Sequence, residues 1–149
     1  MGTRASIILK DEHTTLFFYR HSDGYPECTG ESLKDFVAMY KFGNMRNNVQ
    51  QSAGWLVLKG HFEYLEGKPA TEYAQPAAKG DYSAWKVGAY EPTDQIHSDV
   101  EYIYIIDLEK MTLNCRQPNG SSFWDKPTLK NTVPCAEFKT VRFGLKVVA

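Results

Sequence analysis

Long hydrophobic runs are missing from this chain. The longest clear ones, 55–58 and 102–106, fall far short of the roughly 20 apolar residues that cross a bilayer. The segment 1–10 holds one arginine but neither the apolar core nor the small-residue cleavage pattern of a secretory signal. We therefore expect a cytoplasmic protein with no membrane partner.

The net charge of the chain is also close to zero. Seventeen Lys and Arg residues stand against eighteen Asp and Glu residues, which gives a formal net charge of −1. A protein that grips duplex phosphates over a broad surface carries an excess of positive charge, so we expect no broad nucleic-acid face. Aromatic residues make up 13% of the chain, and such side chains suit cores and interfaces. A protein or a small ligand is thus the expected partner.

Cysteine is scarce, and the common catalytic motifs are missing. The three cysteines, Cys28, Cys115 and Cys135, are odd in number and show no Cys-x-x-Cys spacing. This predicts free thiols in a reducing compartment, although one disulfide pair remains possible.

The sequence lacks the nucleophile elbow, the phosphate-binding glycine loops and the His-Glu-x-x-His zinc motif. We predict no cofactor and no bound metal, and we lean against an enzyme.

The length of 149 residues fits a single domain, 1–149, that is large enough to bury a core. Strand formers at 5–9 and 15–19 flank a polar segment and predict an antiparallel hairpin. Two amphipathic helices follow, because apolar residues repeat at the helical period. Their predicted buried residues are Leu33, Phe36, Val37 and Tyr40 in the first helix, and Trp55, Leu58, Phe62 and Leu65 in the second.

The second half of the chain has the pattern of strands. Alternation predicts strands at 83–90 and 111–115 and one between 136 and 148, while 100–108 is apolar on both faces and predicts a central strand. Strands that are segregated from helices indicate an α+β fold. We expect an antiparallel sheet of about five or six strands, with two helices packed on one face.

Two His-x-Asp triplets, 21–23 and 97–99, stand at predicted strand boundaries. Residues i and i+2 of an extended chain point to the same side, so each triplet can present an imidazole beside a carboxylate. Glu101 follows Asp99 at the same spacing. If the triplets met, they could ligate a divalent metal or act as acid and base. A structural role is the commoner outcome, because Asp23-Gly24 is a turn dipeptide and Asp99 can bond to its own backbone.

Three segments carry a resemblance. Residues 1–5 open a strand with Met-Gly-Thr-Arg-Ala, residues 19–26 close the next with Tyr-Arg-His-Ser-Asp-Gly-Tyr-Pro, and residues 96–104 read Ile-His-Ser-Asp-Val-Glu-Tyr-Ile-Tyr. Together and in this order they resemble a family of small uncharacterised proteins of bacteriophages, prophages and bacteria. The resemblance implies a viral or prophage origin, with action in the host cytoplasm, and no particular reaction.

Three functions of different classes are open. The first is a counter-defence protein, of anti-CRISPR or similar type, that binds and inhibits a host or defence protein. The second is a metal-dependent hydrolase or nuclease that uses the two triplets, and the third is a sponge for a nucleotide-type signal, held by groups such as Tyr25 and Arg20. A homodimer also stays open. The binding candidates are Arg4, Arg20, His21, Asp23, Tyr25, Trp85, Tyr90, His97, Asp99, Glu101, Arg116, Phe123 and Trp124. Trp85, Tyr90, Arg116 and Trp124 are the first candidates for interface hot spots.

Overall fold

Among the residues that the structure describes, strands outnumber helices and the fold is α+β, as the sequence predicts. The structure, a computed structural model, describes residues 2–42, 45–63, 78–81, 88–118 and 129–144. The strands in these ranges are β1 Ala5–Lys10, β2 Thr15–Arg20, β3 Glu91–Thr93, β4 Tyr102–Asp107, β5 Thr112–Pro118, β6 Thr132–Pro134 and β7 Val141–Arg142. The α-helices are α1 Glu31–Ala38 and α2 Val49–Glu63, and a π-helical turn, Pro26–Gly30, precedes α1.

The strands form one mixed sheet in the order β3-β2-β1-β4-β5-β6, and β7 also pairs with β5. The predicted β1–β2 hairpin is confirmed, with Ala5 opposite Arg20. The prediction of a purely antiparallel sheet is wrong, because β4 pairs with β1 in parallel. The connection 94–101 passes over β2 and β1 and leads from the outer strand β3 to the side of β1 that β2 leaves unpaired. Strand β4 therefore begins at the same end of the sheet as β1 and runs parallel to it. Side-chain alternation reports which faces are buried and carries no information on strand direction.

Alternate residues of the central strands enter two separate buried clusters. Ile7 of β1 and Tyr104 of β4 belong to the larger cluster, together with helix residues such as Phe36 and Leu56. Ile8, Ile103 and Ile105 belong to a smaller cluster, which Ile96 and Val100 of the 94–101 connection complete. The prediction of a central strand that is buried on both sides is therefore confirmed for β4.

Helix α2 forms as predicted but buries a different face. Of the four residues expected in the core, Leu58 and Phe62 are 43% and 52% exposed. Trp55 is half-buried and packs against the larger cluster, and Leu65 lies outside the described residues. The buried residues of α2 are Val49, Ser52, Leu56 and Gly60. The helix turns this way because its small residues allow close packing. Gly60 accepts a hydrogen bond at 3.1 Å from the Ala89 amide, and Ser52 accepts one at 2.5 Å from the Tyr40 hydroxyl.

The remaining strand predictions have mixed outcomes. Residues 83–87 of the predicted 83–90 strand lie outside the described residues. Strand β3 begins just beyond the predicted strand, with Pro92 tolerated on an edge strand. The described part of 136–148 contains only the two-residue β7. The short strand β6 has no counterpart in the predictions, because three residues are too few for a pattern. None of the described helices has the length and apolar character needed to span a bilayer.

Candidate functional site

The two His-x-Asp triplets approach each other through Tyr19. The Tyr19 hydroxyl and Nδ1 of His21 are hydrogen-bonded at 3.0 Å. The Tyr19 ring also stacks on the His97 ring, with 4.3 Å between centroids, and Nε2 of His97 lies 3.0 Å from Oγ1 of Thr93. The second cluster of the sheet thus brings the two segments together, as the hypothesis of a shared site requires.

The carboxylates of the triplets point to different places. Asp99 accepts a hydrogen bond from Nη1 of Arg4 at 2.8 Å, while Asp23 lines a cleft beside Arg20. Glu101 has an exposed side chain, and its amide donates to the Arg4 carbonyl. Among the residues that the structure describes, no group of three or more His, Cys, Asp or Glu side chains could hold a metal ion. The triplets therefore give two histidines around a tyrosine and no common acidic centre there.

The Asp-Gly-Tyr-Pro turn after β2 has a structural explanation. Asp23 has a positive φ of 58°, a conformation that aspartate tolerates better than most residues. At Gly24 a Cβ atom would lie 2.9 Å from the Cβ of Ala5 and from the Thr3 carbonyl oxygen. The Gly24 carbonyl accepts a hydrogen bond of 2.7 Å from the Tyr104 hydroxyl. This turn is thereby fixed against the start of β1 and the middle of β4.

Arg20 occupies the floor of a polar cleft of about 420 Å³, which we call the Arg20 cleft. Its lining residues are Arg20, Asp23, Cys28, Ser32, Asp35, Lys59 and Glu63. Arg20 is only 2% exposed, and its Nη1 donates to Oε2 of Glu63 at 2.6 Å. Its Nε donates to the Ser22 carbonyl at 3.0 Å. The guanidinium also lies 5.2 Å from the centroid of the Tyr90 ring, within the range of a cation–π contact.

The Glu63 carboxylate also accepts hydrogen bonds from Lys59 and Ser32, which line the same cleft. Lys59 Nζ donates to its Oε1 at 3.0 Å, and the Ser32 hydroxyl donates to the same oxygen. The hydroxyls of Ser32 and Tyr90 are in turn 2.5 Å apart. Burial opposes ionisation of Glu63, but hydrogen bonds from Ser32 and Lys59 and the charge of Arg20 outweigh it and lower the pKa of the carboxyl. These contacts form a polar network that joins β2 and α1 to the end of α2.

The chemistry of the Arg20 cleft is that of a structural network. Burial raises the pKa of the Cys28 thiol although Arg20 acts in the opposite direction, so the nucleophilic thiolate is disfavoured at neutral pH. The sponge hypothesis needs the Arg20 guanidinium to face a ligand. That group is buried, and its Nη1 and Nε atoms already donate hydrogen bonds to Glu63 and to the Ser22 carbonyl. These donors are therefore occupied inside the protein.

The stability of the protein should fall in acid through Glu63. The folded-state pKa of this carboxyl lies below its usual value of 4.5, so its contribution to stability is present above that value and is lost as the pH falls through the lowered pKa. Urea unfolding at a series of pH values should show a loss on acidification that is smaller in Glu63→Gln. An equal pH slope in the parent and the variant would contradict this assignment.

The remaining sequence candidates have diverse positions. Tyr25 is 37% exposed beside the turn, whereas Tyr90 is 1% exposed, which corrects the expectation that Tyr90 contributes to a surface. Arg116 is half-buried on β5 and donates to the Thr132 carbonyl at 2.7 Å. Three candidates lie outside the described residues: Trp85, Phe123 and Trp124.

An exposed apolar surface lies on α2, where sequence reasoning placed core. We call it the α2 apolar face and define it by Trp55, Leu58 and Phe62. Leu58 and Phe62 are 43% and 52% exposed, and Trp55 is half-buried, packs against the larger cluster and lies beside Leu58 and Gly54 in a groove of about 350 Å³. Periodicity alone assigns the bulkiest stripe of a helix to the core. A second stripe of the helix, through Ser52, Leu56 and Gly60, is the one that is buried. Its small residues were the sequence feature that could have predicted this orientation.

Comparison of the chain with known proteins identifies no family. No family model, curated protein or solved structure matches the chain.

Proposed function

We propose that this protein is a stoichiometric binding protein that occupies a host or defence protein through the α2 apolar face, as a phage-encoded inhibitor would. The observation that carries the proposal is the exposure of Leu58 and Phe62 on consecutive turns of one helix. Contiguous exposed apolar surface marks interaction sites, and large side chains in the centre of such a surface contribute most of the binding energy.

The charges of α2 favour a protein partner over a lipid surface or nucleic acid. Glu63 is the only acidic residue of this helix, and it faces Arg20 inside the cleft. Lys59 is held by the same carboxylate at 3.0 Å. Interfacial helices and phosphate-binding helices use clusters of lysine and arginine around the apolar stripe. The sequence of α2 offers no such cluster, so the partner we propose presents a complementary apolar surface of its own.

Replacing the α2 apolar face should abolish partner binding without unfolding the chain. In Leu58→Asp/Phe62→Asp, carboxylates would be forced against the partner's apolar surface, and we expect Kd to rise about 30-fold or more, which corresponds to about 2 kcal/mol. The measurement is affinity capture from a bacterial host lysate, followed by calorimetric titration of the purified partner and an assay of the partner's own activity.

Val133→Asp provides the matched control, because Val133 is 39% exposed on a different element, β6. The control should retain both binding and inhibition, and the thermal midpoints of the two variants should lie close to that of the parent. The proposal fails if the partner binds Leu58→Asp/Phe62→Asp as tightly as the parent, or if binding leaves the partner's activity unchanged. Recovery of membrane lipid or of a nucleotide from the lysate, in place of a protein, would overturn the proposal as well.

A further inference from the structure

Cys115 and Cys135 face each other across the edge of the sheet. In the β5–β6 pairing Arg116 lies opposite Pro134, so Cys115 and Cys135 form the next rung of the same ladder. The Cys135 amide donates to the Cys115 carbonyl at 3.0 Å, which continues the pairing by one residue beyond β6. Opposite residues of an antiparallel ladder have Cα atoms about 4.5–5.5 Å apart, and a disulfide spans Cα separations in this range.

The two thiols also share one environment. Both residues are free cysteines and nearly fully buried, and both belong to the larger hydrophobic cluster. Opposite residues in an antiparallel pair project to the same face of the sheet. Cys28 lies elsewhere, in the Arg20 cleft with its Sγ 3.6 Å from Nη2 of Arg20. The chain therefore contains one pair placed for bonding and one separate cysteine that serves as an internal control.

We propose that Cys115 and Cys135 form a redox-sensitive disulfide that fastens the edge strand β6 to β5. The oxidant is a low-molecular-weight disulfide such as oxidised glutathione. The thiolate of one cysteine attacks the glutathione disulfide and releases one glutathione thiolate. The second cysteine thiolate then attacks the mixed disulfide and releases the other. The two protons that leave the cysteines neutralise the two glutathione thiolates, so one disulfide forms as one is reduced.

Access controls the rate of this exchange. Burial first, and the neighbouring Cys135 second, raise the pKa of Cys115 far above its usual value of 9.0. The attacking species is the thiolate, so the reaction is slow in the closed sheet and is accelerated by alkaline pH and by opening of the three-residue strand β6. Cys28 is half-exposed and should react first with an external thiol reagent.

The test uses the full reduced chain, incubated with oxidised glutathione at mildly alkaline pH and then alkylated and digested. We expect a cross-linked peptide that contains Cys115 and Cys135, while Cys28 is alkylated or glutathionylated. The thermal midpoint should rise by about 5–10 °C and return after reduction, because the bond restricts the unfolded chain.

The variants separate this bond from a general effect of oxidation. Cys28→Ser should retain both the cross-link and the rise in the midpoint, whereas Cys135→Ser should lose both. Separate alkylation of Cys115 and Cys135 in the folded parent overturns the proposal, and so does a cross-link that involves Cys28. The parent digest gives this answer even if Cys135→Ser fails to fold.

Discussion

Glu63→Ala is expected to destabilise the protein by about 3 kcal/mol or more, since removal of one partner leaves a buried charge without compensation. Arg20 is 2% exposed and donates to Glu63 at 2.6 Å. The same substitution also deprives Lys59 and Ser32 of their common acceptor. Urea unfolding monitored by tryptophan fluorescence and circular dichroism would measure the change.

Glu31→Ala is the matched control for this prediction. Glu31 pairs with Lys34 at 3.1 Å, but both side chains are well exposed, and such surface pairs contribute about 0–1 kcal/mol. A double replacement of Arg20 and Glu63 by Met and Leu should recover much of the loss, because apolar pairs of similar volume often match buried ion pairs. If Glu63→Ala were as mild as Glu31→Ala, the Arg20 guanidinium would have to be solvated in the folded state.

Two glycines of the same helix should respond to alanine with opposite signs. At Gly60 a Cβ atom would lie 2.8 Å from the Tyr90 amide nitrogen and 3.0 Å from that of Ala89. Backbone cannot yield as a flexible side chain does, so Gly60→Ala must push α2 away from 88–90 and disrupt the 3.1 Å bond to the Gly60 carbonyl. We expect a loss of about 1–3 kcal/mol, the usual cost of overpacking.

Gly54→Ala supplies the opposite case. Nothing lies within 4 Å of a Cβ atom at this position, and alanine is about 0.5–1 kcal/mol more favourable than glycine in the interior of a helix. Thermal and urea unfolding of both variants should therefore show stabilisation at Gly54 and destabilisation at Gly60. A stabilising effect at both positions would mean that α2 does not approach the 88–90 backbone as closely as described.

The buried face of α2 could not be predicted from the pattern of apolar residues. The period of apolar residues predicts that α2 exists, but it assigned Leu58 and Phe62 to the core. A small residue contributes almost nothing to a hydrophobic pattern, and yet it permits the closest approach of two backbones. The buried face of α2 therefore depends on Gly60 and Ser52, whose partners Ala89 and Tyr40 lie elsewhere in the sequence.

The candidate sites show the same limit. The sequence identified His21 and His97 as a pair worth testing, and the structure places them on Tyr19. It could not show that Asp99 pairs with Arg4, because that ion pair depends on the crossover 94–101. Glu63 was not among the candidates. Its partners come from β2 and α1, and only the folded chain brings them together.

Local sequence patterns were sufficient to predict the β1–β2 hairpin, the two helices, the central position of β4 and the α+β class. Each of these depends on local periodicity and turn chemistry, which neighbouring residues express. Long-range packing fixes the parallel pairing of β1 with β4, the orientation of α2, the burial of Arg20 against Glu63 and the juxtaposition of Cys115 with Cys135. These features join residues that are distant in the chain, and their geometry follows from close packing and from the need of buried polar groups for partners.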